Sequence, residues 1–369
     1  MKLPNFPKLS EEKMAQMLAL PNKEGKLRVV IDTDTHNEID DQFALTWALQ
    51  SQDRLEIEGV YAAPYSFAHH QQPVLDAYEE IKSGQSISEK DVTIVGSYHK
   101  WANNLITAGI DPYGIHFAKT DEGMELSFQE ILRVFEHLGE DPTGKVFRGS
   151  KNYLPGLDGN YRSEAIDHLI ERAMAYDDQN RPLYVVGIGA ATNIAAAILV
   201  EPKIIEKIVV VWTSAFPSFS NQCNRLSLNF LQDLPASRLM FDSGVPHVYL
   251  PGFYIGAQLM ISLPEMETWV KGRGKIGDYL HHLYTNNPIH KQRGITEQFG
   301  RTWVMWDLIN IAWLLDPEWV PSQILPSPAV DDEMYWVHQD GRHMMREAHG
   351  INRDAIFRDF FRKLDQQSK

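Results

Sequence analysis

The sequence predicts an α/β fold: a single-domain open, mostly parallel sheet flanked by helices. Three observations carry that expectation. Short apolar runs rich in Val and Ile recur at Val29–Ile31, Leu183–Ile188 and Ile204–Trp212, and they are continuous enough to be buried on both faces. Segments with helical apolar spacing lie between such runs. Turn residues stand at the junctions, as in Gly187-Ile188-Gly189.

Taken in order, residues 1–27 read as an N-terminal extension, with a short helix around Glu11–Leu20 and the turn-prone Pro21-Asn22-Lys23-Glu24-Gly25. Residues 28–369 form the α/β domain. Its first strand lies near 28–32, its first helix near 40–50, and its second strand at Leu55–Ala63, where Pro64 stops it. Ser163–Tyr176 places Ala165, Ile166, Leu169, Ile170, Ala173 and Met174 on one helical face. The strand Leu183–Ile188 follows, then a helix over Ala190–Val200 with Thr192 or Asn193 as cap. Ile204–Trp212 is the next strand, with a polar loop to Asn229. Leu234–Ser243 is helical and Val245–Leu250 extended. Residues 252–300 read as mostly helical, Trp303–Leu315 as one apolar helix, and Asn352–Lys363 as an amphipathic one.

Composition bounds the function. Lys and Arg total 35 against 49 Asp and Glu, a net charge of −14, with no long basic run. That excludes nucleic acid and acidic membrane surfaces as natural partners and leaves small molecules open. The single cysteine, Cys223, forbids an intrachain disulfide or a thiolate metal cluster. No apolar run reaches membrane-span length, and Met1–Pro7 lacks a secretory apolar core, so a cytoplasmic protein is expected.

The densest chemistry is in Asp32-Thr33-Asp34-Thr35-His36-Asn37-Glu38-Ile39-Asp40-Asp41, directly after the first strand. Ligands in open α/β sheets bind beyond the carboxyl ends of strands. Five carboxylates there repel one another unless a cation or protons offset the charge. A hard, oxygen-seeking divalent ion is the simplest compensation. Acids also cap helices, but a cap uses one or two of them.

This loop resembles the D-x-D-P-G-x-D-D loop of the nucleoside hydrolases, the calcium-dependent N-ribohydrolases, though it is two residues longer and has neither the Pro nor the Gly. Further matches follow in the family's order. Ile188-Gly189-Ala190-Ala191-Thr192-Asn193-Ile194-Ala195 is similar to the family's T-G-P-L-T-N-I-A turn. Asn221, eight residues before Asn229, has the spacing of two ribose-binding asparagines. Asp307, before an apolar run ending Leu314-Leu315-Asp316-Pro317, resembles the late H-D-A segment. The resemblance spans about 30–320 and implies a nucleoside hydrolase-like, Rossmann-like core.

It also implies roles. Asp34, Asp41, Asp307 and the backbone carbonyl of Ile188 would hold Ca²⁺, with positions left for a water and the ribose 2′- and 3′-hydroxyls. Asp34 would also be the general base for the attacking water. Asp40 would accept a ribose hydroxyl, Asp32 would brace the loop, and Asn221 and Asn229 would bind the sugar. The substrate would be a nucleoside and the assembly a homo-dimer or homo-tetramer.

Several residues depart from the family. Ser227 stands where the family has a glutamate, removing an acceptor for the 5′-hydroxyl. Trp306 replaces the histidine before the metal-binding aspartate; an indole cannot donate a proton as an imidazolium does, but it stacks on a purine, so a purine nucleoside is favoured. Residues 65–123 read as an insertion at the site mouth, a lid able to bring Trp101 to the base or a packing subdomain. His36 and Asn37, in the lengthened loop, are further candidates for touching substrate.

Two rivals remain at the level of sequence. A catalytically silent nucleoside- or sugar-binding homologue fits the lost glutamate and histidine. A haloacid-dehalogenase-like phosphatase fits Val30-Ile31-Asp32-Thr33-Asp34-Thr35, with Gly277-Asp278 as its late acidic motif, although that segment reads as a helix.

Overall fold

The computed structural model describes residues 5–84, 92–93, 96–159, 161–175, 181–297 and 300–367. Eight strands build the central sheet: β1 Leu27–Thr33, β2 Leu55–Ala62, β3 Val146–Arg148, β4 Leu183–Gly187, β5 Ile208–Ser214, β6 His247–Pro251, β7 Ser322–Pro326 and β8 Met344–Ala348. Their order is β7-β8-β6-β5-β4-β1-β2-β3. Every neighbouring pair is parallel except β7 with β8.

The apolar runs explain why the sheet is buried on both faces. Side chains alternate along a strand. Val29 and Ile31 of β1, Tyr184 and Val186 of β4, and Val209 and Val211 of β5 enter one apolar cluster. Val30, Leu183, Val185, Ile208, Val210 and Trp212 enter the cluster on the other face. The helix Thr192–Val200 seals the second face with its run of Ala and Ile, and Leu308–Leu315 and Asp40–Leu49 seal the first. At about 25 cal/mol per Å² of apolar surface removed from water, these two layers are the main stabilising term of the fold.

The helix expected over Ser163–Tyr176 runs Glu164–Met174, capped by the Ser163 side chain on the Ile166 amide; Tyr176 lies outside the described residues. Four expectations are corrected. The helix after β4 starts at Thr192, and neither Thr192 nor Asn193 caps it, because both side chains bond to other elements. Pro202–Glu206 is a tight helical turn, so β5 begins at Ile208 rather than Ile204; Ile204 and Ile205 are buried in either conformation, and apolarity alone cannot separate the two. Residues 252–297 are mostly helical, with one short strand, Met260–Ser262, that pairs antiparallel with Thr302–Val304. That pairing removes Trp303 from the late helix, which runs Leu308–Leu315. The edge strands β7 and β8 were not anticipated.

In the stretch 65–123 the described residues form helices Ala68–Ser83 and Tyr98–Ala108. Tyr65, Phe67, Val74, Trp101, Leu105 and Phe117 share a third apolar cluster with Ile289. The N-terminal segment also docks: Leu18 is fully buried, and its carbonyl accepts from Arg346 Nε at 2.7 Å.

Candidate active site

The parallel strands β1, β4, β5 and β6 end side by side, and their following loops line one cavity. Asp34, Asn37, Glu38, Asp40 and Asp41 come from the β1 side, Ile188 from β4, and Thr213, Ser214 and Ala215 from β5. Ser227, Leu228 and Asn229 come from the next loop, Gly252 and Phe253 from beyond β6, and Trp306 and Asp307 from the entry to the late helix. The cavity measures about 70 Å³ and opens to solvent, so a ligand of nucleoside size extends into its mouth.

The acids are placed by the start of a helix and by short bonds from their own loop. Asp40 and Asp41 open the helix Asp40–Leu49, where the helix dipole favours negative charge. Thr33 Oγ1 donates to Asp41 Oδ1. The Asn37 amide donates to Asp34 Oδ2 at 2.9 Å, and the Asn37 backbone N–H donates to the Asp34 carbonyl at 2.7 Å, folding the loop on itself. Asp34 packs against Gly189, where a Cβ would fall 3.0 Å from the carboxylate, so a larger residue beside Ile188 would have to push Asp34 aside by a few tenths of an ångström. Asn310, inside the late helix, donates to the carbonyls of Gly187 and Val211 and fixes that helix across β4 and β5.

Asp40, Asp41 and Asp307 come together, with one carboxylate oxygen of each within 4.8 Å of the others, and all three are buried. Burial first, and then neighbouring carboxylates, raise all three well above the usual carboxylate range, with Glu38 the foremost charge on Asp40, Asp34 on Asp41 and Asp40 on Asp307. Burial raises Asp34 to about 7 despite the Asn37 bond. Asp32 is raised to about 8 by burial, opposed by its bond from Asn193.

These residues fit a hard divalent cation. Every donor is an oxygen, and Asp40 Oδ1 and Asn37 Oδ1 are buried without a hydrogen-bond partner. An ion at the cluster would satisfy such oxygens and relieve the repulsion.

The expected site residues separate into groups. Asp34, Asp40, Asp41, Ile188, Asp307, Asn229, Ser227, Trp306 and Asn37 line the cavity. The compact acid trio contains Asp40 where the sequence suggested Asp34; Asp34 lines the same cavity but stands outside the trio. Asp32 does not line the cavity and lies behind it, bonded to Asn193. Asn221 is not brought in: it is exposed, and its side-chain oxygen accepts only from neighbouring Gln222 at 3.4 Å. His36 turns to Tyr65, with Nδ1 2.9 Å from the phenol oxygen, and Trp101 donates to the Gln292 carbonyl; neither lines the cavity. Glu38, Thr213, Ser214, Leu228 and Phe253 were not assigned roles from the sequence. The signal for Thr213 and Phe253 was available, since Thr213 lies at the carboxyl end of one parallel strand and Phe253 just beyond that of another.

A family model described as inosine-uridine preferring nucleoside hydrolase matches residues 29–358. The chain belongs to the nucleoside hydrolase family. It is therefore a hydrolase acting on N-glycosyl bonds, in a family that is generally metal-dependent and acts on small-molecule nucleosides. The fold agrees with solved structures of the family. A purine-preferring ribonucleoside hydrolase from Gardnerella vaginalis aligns with a TM-score of 0.59 at 18% identity, over 93% of this chain and 99% of that one. An inosine-uridine preferring nucleoside hydrolase from Bacillus anthracis aligns at 0.57 and 16% identity, over 92% and 99%. An inosine-guanosine nucleoside hydrolase aligns at 0.61 and 14% identity, over 93% and 99%. At such identities the likeness shows the fold alone. No curated protein matches the chain by sequence. Gly277-Asp278, which a phosphatase would need at a strand end, lies within the helix Gly274–Thr285. Among the described residues no helix is long and apolar enough to cross a membrane.

Proposed function

We propose that this chain cleaves purine ribonucleosides to ribose and free base with a bound Ca²⁺. The observation that carries the reading is the convergence of Asp40, Asp41 and Asp307 beside Asp34 and Trp306 on one cavity wall. Asp41 and Asp307 would hold the ion, with Asp34, Asp40 and the Ile188 carbonyl as the oxygens available to complete its shell. Calcium suits a site of many flexible oxygens better than Mg²⁺, which demands near-ideal octahedral geometry. When bound, the ion supplies Lewis acidity to a water and charge for the ribose hydroxyls to bind.

The chain's own groups do the rest. Asp34 takes the proton of the attacking water at Oδ1, because Asn37 occupies Oδ2. Asp40 accepts a ribose hydroxyl through an oxygen that has no protein partner. Asn229 spends its amide hydrogens on the carbonyls of Ile188 and Thr213, at 3.1 and 3.3 Å, which leaves Oδ1 as an acceptor for the sugar. Trp306, half-buried and braced edge-on against Phe253 at 5.7 Å, offers a face for the base. Stacking a purine there raises its basicity, so solvent can protonate the leaving group. The lone Cys223 suits a reducing compartment, and the reading places the enzyme in the cytoplasm as a homo-dimer or homo-tetramer.

The decisive experiment is a nucleoside panel with a reducing-sugar readout, with and without a calcium chelator. Purine nucleosides should release base, and chelation should stop it. The competing reading, a silent binder, is favoured by Ser227, whose hydroxyl is engaged by Ser214 and the Ala215 amide. Binding by calorimetry with no base released would establish that alternative.

A further inference from the structure

The cavity wall continues outward as a row of aromatic rings. Trp306 meets Phe253 edge-on at 5.7 Å, Phe253 stacks on Phe216 at 4.4 Å, and Phe216 meets Tyr254 edge-on at 5.3 Å. Trp306 and Phe253 line the cavity, whereas Tyr254, the next residue in the chain, stands outside it. Phe216 is buried, and its carbonyl accepts from the Tyr249 hydroxyl at 2.7 Å and from Trp336 Nε1 at 3.1 Å, so the row has a fixed base. Tyr254 ends it in solvent, 51% exposed.

The backbone at Tyr254 is strained. Its φ is +69°, and among the described residues only Met334 shares a positive φ without being glycine. For a bulky side chain that conformation crowds Cβ against the backbone. The turn demands it. Gly252 and Phe253 donate to the Ser214 and Ala215 carbonyls at 2.5 and 3.1 Å, which carries the chain past the end of β5. The Ala257 N–H then returns to the Gly252 carbonyl at 2.7 Å. Glycine would make this reversal without strain, yet a tyrosine stands there. Burial does not offset the strain, since half of the residue is in water. Strain kept beside a ligand cavity, under a large exposed ring, points to a ligand contact.

We propose that Tyr254 is a specificity-determining residue, whose ring receives an apolar ring that the nucleoside carries beyond the cavity. The inference rests on the nucleoside reading above. A base stacked on Trp306 has Phe253 at its side, and Tyr254 lies two ring contacts farther out. What reaches Tyr254 is therefore a group attached to the nucleoside rather than the base itself. Such a ring could hang from the exocyclic nitrogen of the base or from C5′ of the ribose, and Tyr254 would stack on either in the same way. Because Phe216 holds the tyrosine in place before the ligand arrives, little freedom is lost on binding.

The test is binding measured by calorimetry with Ca²⁺, using carbon-linked purine nucleosides whose glycosidic bond cannot hydrolyse. One probe is plain, one carries a benzyl group on the exocyclic nitrogen, and one carries a phenylthio group at C5′. For the wild type, at least one substituted probe should bind roughly 5- to 100-fold tighter than the plain one, the range for stacking on one aromatic ring. Which probe does so identifies the attachment point. Tyr254→Phe should keep that gain and Tyr254→Ala should abolish it. Tyr254→Gly should abolish it too, yet show a higher urea midpoint than Tyr254→Ala, because glycine adopts φ +69° without strain. Affinity then follows the ring and not the stability of the turn. Equal binding of the three probes by the wild type, a gain that survives Tyr254→Ala, or a gain restored by Tyr254→Gly would overturn the proposal. Equal binding in a protein that releases base from ordinary nucleosides would overturn Tyr254 alone. A gain that depends on Tyr254, in a protein that releases no base, would uphold Tyr254 and overturn only the hydrolase reading.

Discussion

The side-chain amide of Asn193 donates to Asp32 Oδ1 at 2.7 Å, joining the turn after β4 to the strand that carries the acid loop. The same amide reaches the Ala62 carbonyl at 3.3 Å, and its oxygen accepts from the Ser150 backbone N–H at 2.8 Å. One residue thus ties together the carboxyl ends of β1, β2, β3 and β4. Gly149 completes the knot, since a Cβ there would collide with the Ala62 carbonyl and the Asn193 side chain.

Asn193→Ala should therefore destabilise the protein by about 1–3 kcal/mol, the cost of leaving buried polar groups unpaired. Asp32 would lose the one hydrogen bond that opposes its burial. Urea unfolding of the two proteins checks this through the shift in midpoint at equal slope. A shift below about 0.5 kcal/mol, the size expected of surface substitutions, would show that the knot is dispensable.

Asp34 and Asp307 should fail in different ways. Asp34→Asn removes the proposed base while leaving the trio of Asp40, Asp41 and Asp307 intact, so kcat should fall roughly 10²- to 10⁴-fold with calcium binding retained. Asp307→Asn breaks the trio and should weaken calcium binding itself, with activity recovered in part by excess metal. Calcium titration by calorimetry beside steady-state kinetics separates the two. Equal loss of calcium binding in both variants would make Asp34 a ligand first and leave the base unassigned.

Much of this site was legible because the acid loop is local in sequence. Asp34, Asp40 and Asp41 sit within eight positions, directly after an apolar strand, so charge crowding alone pointed to a cation. Asp307 was reachable only by order along the chain, because a single acid before a helix is commonplace. Other features depend on distant partners that no local pattern encodes. Trp303 reads as helical until the strand Met260–Ser262 is known to capture Thr302–Val304. Asn221 was inferred from spacing, and the fold of its loop turns it to solvent. The edge strand β7 escaped notice because its residues are largely exposed and carry no buried apolar run.

Trp306→Ala should lower kcat/KM for purine nucleosides by roughly 5- to 100-fold, since stacking of a base on an aromatic ring is worth about 1–3 kcal/mol. Pyrimidine nucleosides, with a smaller face to stack, should lose less. Competition between inosine and uridine in one reaction measures the ratio directly. An unchanged ratio would place the base elsewhere in the mouth and reduce Trp306 to a packing partner of Phe253.

Calcium should stabilise the fold, and more so at higher pH. Without the ion, burial raises Asp32 to about 8 and Asp34 to about 7, above the ordinary value near 4. A carboxyl whose folded pKa is raised contributes its full stability below the unfolded value and loses it as pH climbs through the folded one. The metal-free protein should therefore lose stability from these groups between about pH 4 and 8. Bound calcium offsets the same charges, and at a hundredfold excess over its Kd it adds about 2.7 kcal/mol. Thermal unfolding with calcium and with chelator, compared at pH 5.5 and 8, should show the larger difference at pH 8. An equal or larger difference at pH 5.5 would contradict a site built from these acids.

His247 works in the opposite direction and lies away from the cavity. It begins β6 fully buried among Trp212, Phe241 and Tyr249, and neither ring nitrogen has a hydrogen-bond partner. Burial lowers its pKa to about 3, with the nearby His343 adding to the effect. A base whose folded pKa is depressed contributes fully above the unfolded value near 6.5 and loses that contribution as pH falls toward the folded one. At pH 5 the loss from this group is about 2 kcal/mol, from 1.36 kcal/mol per pKa unit over the interval below 6.5. His247→Phe replaces a ring with a ring and removes the titration, so its stability should depend less on pH between 7 and 5 than the wild type's. Chelator in both samples keeps them equally metal-free, and the acid cluster then cancels in the comparison. Parallel pH profiles for the two proteins would mean that His247 is protonated, or reached by water, within the folded chain.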